Sequence, residues 1–150
     1  MVASRRALDF HLGWFLRPLV FGDYPGSMKR LVGNRLPTFH KGSTNRQQAS
    51  VKGSFDFIGL NHYTTTFVKA GHPSYIVASL HNINPDGHFQ VCYKRNGKSI
   101  GPQSPRAKWL YVVPWGLKKL LDYVRIQYNN PLIIITENGG RTAYGADGRR

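Results

Sequence analysis

The feature that most limits what this chain can fold into is a helix pattern held between two short apolar runs. The first run, Ser54-Phe55-Asp56-Phe57-Ile58-Gly59-Leu60-Asn61-His62-Tyr63, is bounded by Gly53 and by polar residues. That predicts a strand buried on one or both faces. From Pro114, which the first position of a helix tolerates, Leu117, Leu120, Leu121, Val124 and Tyr128 recur at three- and four-residue steps. One apolar helical face of about three turns is expected there, ended by Asn129-Asn130-Pro131. Leu132-Ile133-Ile134-Ile135 follows at once and reads as a strand with both faces covered. Strand, helix and strand in that order predict a βαβ unit, a parallel sheet and an α/β class.

The rest of the chain is less regular. Leu8, Leu12, Phe15 and Leu16 predict a helix over 4–16, with Ser4 as its N-cap and Pro18 forcing its end. A short helix is expected from Pro25, carrying Met28, Leu31 and Val32, with Gly33-Asn34 as its stop. Residues 37–54 read as a polar surface connection, and 64–108 as a long functional loop with small hairpins, one around Asn84-Pro85-Asp86-Gly87. No repeat or low-complexity block interrupts this order.

Composition removes several function classes. Nineteen of 150 residues are Phe, Trp or Tyr, too many for a disordered tail. The net charge of +14 invites nucleic acid or an anionic membrane, but the cations are scattered through loops and helices, which describes a solvated surface better than a basic groove. A nucleic-acid-binding module is therefore the lesser alternative. Cys92 is the only cysteine and the six histidines lack ligand spacing, so neither a disulfide framework nor a metal site is expected. No apolar run is long enough to cross a membrane, and Asp9, His11, Arg17 and Pro18 break the amino-terminal stretch as a signal-peptide core. Gly-rich phosphate loops and the GxSxG motif are absent too, and no cofactor is implied.

In parallel α/β folds, functional groups gather at the carboxyl ends of strands. Two such ends are visible, Asn61-His62-Tyr63-Thr64 and Thr136-Glu137-Asn138-Gly139, and Glu137 is the only glutamate of the chain. A carboxylate there can serve as nucleophile, base or ligand. It can equally cap a following helix, with Asn138-Gly139 making a plain turn.

At these positions the sequence resembles glycoside hydrolase family 1, the plant β-glucosidases. The resemblance rests on Asp9-Phe10-His11-Leu12-Gly13-Trp14-Phe15, Gly22-Asp23-Tyr24-Pro25, Arg35-Leu36-Pro37, Phe55 through Thr65, Trp109-Leu110-Tyr111 with Pro114-Trp115-Gly116, and Ile134 through Gly139, in the family's order. It implies a partial (β/α)8 TIM barrel covering roughly its strand-6 to strand-7 portion, and hydrolysis of β-D-glucosides with retention. Residues 1–139 would be the incomplete barrel segment and 140–150 a divergent tail. The resemblance makes Glu137 the nucleophile, Tyr63 the hydroxyl that hydrogen-bonds it, Asn61 a polar neighbour in the glucose pocket, and Trp109 an aromatic wall for the aglycone. His62 alternates to the other side of the strand and reads as structural, as do Asp9, Asp23 and Asp56.

Two departures matter. Arg17 stands where the family carries an aspartate, and the Thr-Phe/Leu-Asn-Glu-Pro motif that supplies the acid/base is absent. Retaining hydrolysis needs two carboxyl groups about 5–5.5 Å apart. The expected function is thus a β-glucosidase-like segment with little activity alone, its substrate a β-D-glucoside and any complementing chain unknown, or else a non-catalytic sugar binder. Two barrel strands without their neighbours would leave open edges and uncovered apolar faces, so poor folding or aggregation is expected of the chain by itself.

Overall fold

A computed structural model describes residues 2–36, 51–71, 83–84 and 86–139 of the chain. They fall into two units, Met1–Asp56 with Val68–Cys92, and Phe57–Phe67 with Tyr93–Arg150.

The first unit opens with helix α1 (Ala3–Leu8), a π turn (Asp9–Gly13) and helix α2 (Trp14–Phe21). The expected N-cap is displaced: Val2 caps α1, without a side-chain bond, and Ser4 lies inside the helix. The expected stop at Pro18 also fails. Pro18 sits within α2, which ends at Gly22 in the left-handed region, φ 79°, its N–H donating to the Pro18 carbonyl at 2.8 Å. A proline withholds one N–H and crowds the carbonyl one turn back. Here that residue is Trp14, directly after the wide π turn, and burial of Leu16 and Pro18 outweighs the single lost bond.

Helix α3 (Gly26–Val32) begins behind Pro25, as its periodicity predicts, and at the expected stop gives way to a 3-10 turn (Gly33–Arg35). The Ser27 hydroxyl donates to the buried Asp9 carboxylate, which Arg5 also approaches at 3.9 Å. Asp23 accepts from the Tyr24 N–H at 2.8 Å and pairs with Lys29. Both aspartates are therefore structural contacts, as read from the sequence.

Strands β2 (Phe67–Ala70), β3 (Ile83–Asn84) and β4 (Phe89–Cys92) form one sheet in the order β2-β4-β3. The antiparallel β3–β4 pairing sets Asn84 opposite Phe89, so a hairpin stands where Asn84 through Gly87 calls for one. The Arg6 guanidinium clasps its turn, donating to the carbonyls of Gly87 at 2.9 Å and His88 at 2.8 Å. Phe89 is fully buried, with the rings of Phe10 and His11 at 6.2 and 5.5 Å.

The second unit holds the βαβ element. Strand β1 (Ile58–His62), shorter than the 54–63 expected, pairs in parallel with β7 (Ile133–Asn138) across helix α4 (Pro114–Gln127). Pro114 occupies the first turn of α4 as its sequence position calls for. Between them β5 (Lys94–Arg95) and β6 (Lys98–Ser99) make a second hairpin. Its turn is Asn96-Gly97, with φ of 50° and 74°, the two positive values a tight hairpin turn requires. Ile100, Tyr111 and Val113 form the local core with Phe67 and Tyr93, and the rings of Tyr93 and Tyr111 stack at 4.6 Å.

The expectation that the second strand is covered on both faces is overturned. Leu132 is 65% exposed and Ile134 44%, and every residue of β7 after Ile133 is exposed. The sheet has two strands only, so one edge of each stays unpaired among the described residues. In a closed barrel, neighbouring strands and side-chain layers would cover an apolar run of this kind. Of the other expectations, residues 37–50 of the connection and the tail 140–150 lie outside the described residues.

Candidate active site

Glu137 stands at the carboxyl end of β7, and the strand pairing explains its surroundings. The parallel register runs Ile58 to Ile133, Gly59 to Ile134 and Leu60 to Ile135, then jumps so that Asn61 faces Glu137. Thr136 is the extra residue of this bulge. Strict alternation would send Thr136 and Glu137 to opposite faces. A bulge re-aims side chains, and here both reach one partner. Asn61 Nδ2 donates to Glu137 Oε1 at 2.8 Å, and Thr136 Oγ1 donates to Asn61 Oδ1 at 2.6 Å.

Tyr63 and Trp109 come together at the same end of β1. Their rings meet edge to face, centroids 6.2 Å apart and planes at 87°, and both are open to solvent at 40% and 53%. The expected bond from the Tyr63 hydroxyl to the carboxylate is not among the contacts of the described residues. Asn61 is the partner of Glu137 there, and Tyr63 lies against Trp109 instead.

What holds this aromatic pair is the next residue. The Thr64 hydroxyl donates to the Tyr111 carbonyl at 2.8 Å and accepts the Tyr111 N–H at 3.1 Å, so one side chain pins both backbone groups of the facing segment. Thr65 then packs on the first turn of α4 at Gly116. A Cβ placed on Gly116 would lie 1.9 Å from Thr65 Oγ1 and 2.7 Å from its Cβ. Residues 63–65 are thereby fastened to 109–116 at three successive points.

A cavity of about 280 Å³ lies beneath this fastening, lined by His62, Tyr63, Leu110, Val113, Leu117 and Asn138 among others. Glu137 and Asn61 are not part of its wall and face the open side of the sheet. His62 is half-buried, its Nε2 3.3 Å from Thr65 Oγ1, and desolvation lowers its pKa from the usual value. Among the described residues no cluster of three or more His, Cys, Asp or Glu side chains could hold a metal ion.

Sequence reasoning singled out Glu137, Asn61, Tyr63 and Trp109, and the structure puts them in two pairs at one end of one sheet. It missed Thr136 and Thr64. Their signal, a threonine next to Glu137 and another next to Tyr63, is too common to read without the register. Chemically, the arrangement offers an exposed carboxylate aimed by an amide donor, beside an aromatic surface suited to the apolar face of a ring.

Comparison with known proteins shows what the chain as a whole is similar to. The sequence profile of Glycosyl hydrolase family 1 matches residues 1–147, running into the stretch that reads as a divergent tail. Beta-glucosidase 10 of Oryza sativa subsp. japonica is 50% identical over 137 residues, 91% of this chain and 24% of that protein. Raucaffricine-O-beta-D-glucosidase of Rauvolfia serpentina is 46% identical over 137 residues, with shares of 91% and 24%. Among solved structures, a rice beta-glucosidase superposes with a TM-score of 0.81 at 41% identity, covering 97% of this chain and 29% of that one. A beta-glucosidase from the fungus Humicola insolens in complex with glucose gives 0.75 at 34% identity, with shares of 91% and 27%. The chain thus spans about a quarter of the length of the curated relatives it matches.

Proposed function

This chain belongs to glycosyl hydrolase family 1, and on that premise we propose that it carries the nucleophile-bearing portion of a retaining β-glucosidase barrel, equivalent to strands 6 and 7. The observation that supports the reading best is the Asn61–Glu137 bond across the parallel β1–β7 pair, at the strand ends where such barrels do their chemistry.

In the chemistry proposed, a Glu137 carboxylate oxygen attacks the anomeric carbon of a β-D-glucoside while the glycosidic C–O bond breaks. The electron pair leaves with the aglycone oxygen, which a second carboxylic acid protonates. Water, giving its proton to that same second group, then attacks the anomeric carbon and releases Glu137. Asn61 holds the nucleophile in place, and Tyr63 with Trp109 offers an aromatic wall to the aglycone. The second carboxyl group cannot be another glutamate of this sequence, since Glu137 is the sole one. Loss of general-acid help costs about 10²–10⁴ in rate, so turnover of ordinary glucosides by the chain is proposed to be slight.

The test bypasses the acid. A 2-deoxy-2-fluoroglucoside with a dinitrophenolate leaving group needs no protonation on departure. The full chain incubated with it should gain one fluoroglucosyl group, mapped by peptide mass spectrometry to Glu137 and lost in Glu137→Gln. Absence of any adduct at Glu137 under saturating reagent overturns the reading. Glucoside binding by calorimetry without an adduct would favour the sugar-binding alternative, for which the exposed Tyr63–Trp109 pair is the supporting feature.

A further inference from the structure

We propose that Thr136 is the positioning residue of this site: its hydroxyl anchors the far side of the Asn61 carboxamide, and so keeps the N–H that Glu137 accepts in place. The inference rests on the reading of Glu137 as nucleophile and adds a residue to it.

A carboxamide is nearly symmetric in shape, and a half-turn about its last bond exchanges a donor for an acceptor. A carboxylate only accepts, so the Asn61 amino group must face Glu137 and its oxygen must face Thr136. Thr136 is then obliged to donate, which it does at 2.6 Å. The reverse orientation would set two oxygens against each other at Glu137, while the Thr136 hydroxyl could turn to accept from the amino group, so Glu137 selects the orientation and Thr136 secures it. At an exposed site, where water competes for every polar group, the second bond is what keeps the carboxamide from swinging away from Glu137.

The Thr136 side chain is held in turn. Its methyl and hydroxyl carbons and oxygen occupy the space over Gly59, with Cγ2 3.3 Å and Oγ1 3.5 Å from where a Cβ would stand. With its methyl seated there, the hydroxyl is left facing Asn61. The bulge that inserts Thr136 opposite the Leu60–Asn61 step brings this hydroxyl to the nucleophile's side. Bulge, glycine gap and forced proton direction converge on the same residue.

The sole glutamate makes the test clean, because ¹³C-glutamate labelling of the full chain yields one side-chain carboxyl signal, that of Glu137. With ¹⁵N-asparagine labelling, the Asn61 carboxamide protons are read alongside it, in the absence of sugar. In the wild-type chain and in Thr136→Ser, one carboxamide proton should be protected from exchange. In Thr136→Val and Thr136→Ala that protection should fall about fivefold to tenfold, and the Glu137 signal should shift with it. The Ile58 amide, which donates to the Leu132 carbonyl, reports strand pairing and should be equally protected in all four proteins. Unchanged Asn61 and Glu137 signals in Thr136→Val, a serine variant that fails as the valine variant does, or a wild-type carboxamide exchanging as free asparagine would each overturn the proposal. Fluoroglucoside trapping is read separately: coupled signals without an adduct would sink the glycosidase reading and leave the Thr136 contact standing, whereas an adduct formed at equal rate in all four proteins would do the reverse.

Discussion

Replacing Gly116 with alanine sets two forces of opposite sign against each other. Alanine is the better helix former, by up to about 1 kcal/mol, and Gly116 lies in the first turn of α4 with no left-handed φ to forbid a side chain. Propensity alone forecasts a stabilised helix. The space says otherwise. The new methyl would meet Thr65 Oγ1 at 1.9 Å, Cβ at 2.7 Å and Cγ2 at 3.1 Å. Thr65 has no long arm to swing aside, and its Cβ moves only with its backbone. Inserting a methyl into such a contact costs about 1–3 kcal/mol, and here the upper part of that range applies because two atoms lie inside 3.0 Å. Net destabilisation of about 1–2 kcal/mol should result, which is about a 5–30-fold faster exchange of the α4 amides. Hydrogen-exchange mass spectrometry of the full chain reads it directly. Thr65→Gly in the same background removes all three offending atoms and should restore most of the protection. Slower exchange in Gly116→Ala, or no recovery in the double variant, would refute the packing argument.

Burial depresses the His11 imidazole below its usual pKa of 6.5, so the unfolded chain binds a proton before the folded one does. Stability should be full above that value and fall as the pH drops through it, measured as faster amide exchange in α1 and α2 at about pH 5.5 than at about pH 7.5 after correction for intrinsic rates; His11→Phe should flatten the difference. Thr64→Val strips the buried Tyr111 backbone of two partners and should cost about 1–3 kcal/mol, read as lost protection of the Tyr111 amide. A loss below about 0.5 kcal/mol would mean water replaces the hydroxyl. Ile134→Lys places a charge on the exposed face of β7, one edge of which is unpaired among the described residues, and should lower light scattering of the chain while leaving the helical circular dichroism unchanged; scattering equal to wild type would show that self-association runs through another surface.

The sequence carried the βαβ order plainly, because α4 shows an unbroken helical period and its flanking runs are short and apolar. The α3 helix and the hairpin after Asn84 were equally legible from their turn residues. Three features were not. Pro18 is a stop signal that packing overrides, and no local rule announces the π turn ahead of it. The second hairpin did have its sign in Asn96-Gly97, submerged in a stretch without periodicity. The coverage of β7 was misjudged because an isoleucine run reads as buried on both faces whatever neighbours pack against it. Within the site, Glu137 and Asn61 could be named from their motifs, yet their contact depends on a one-residue register jump. Such a jump is a property of two strands together and is written in neither alone.

Asn61 and Glu137 are 76 residues apart along the chain and are brought together where β1 meets β7. Closing a loop of that length costs about 4 kcal/mol in chain entropy, against which a single pair of strands offers few bonds. Local elements such as α1, α4 and the two hairpins should therefore form early and the parallel pairing last, as non-local contacts generally do. The carboxylate and its amide partner then meet only at the final step of folding. They part at the first step of unfolding, so this contact should be the most perishable in the molecule, lost while its helices still stand.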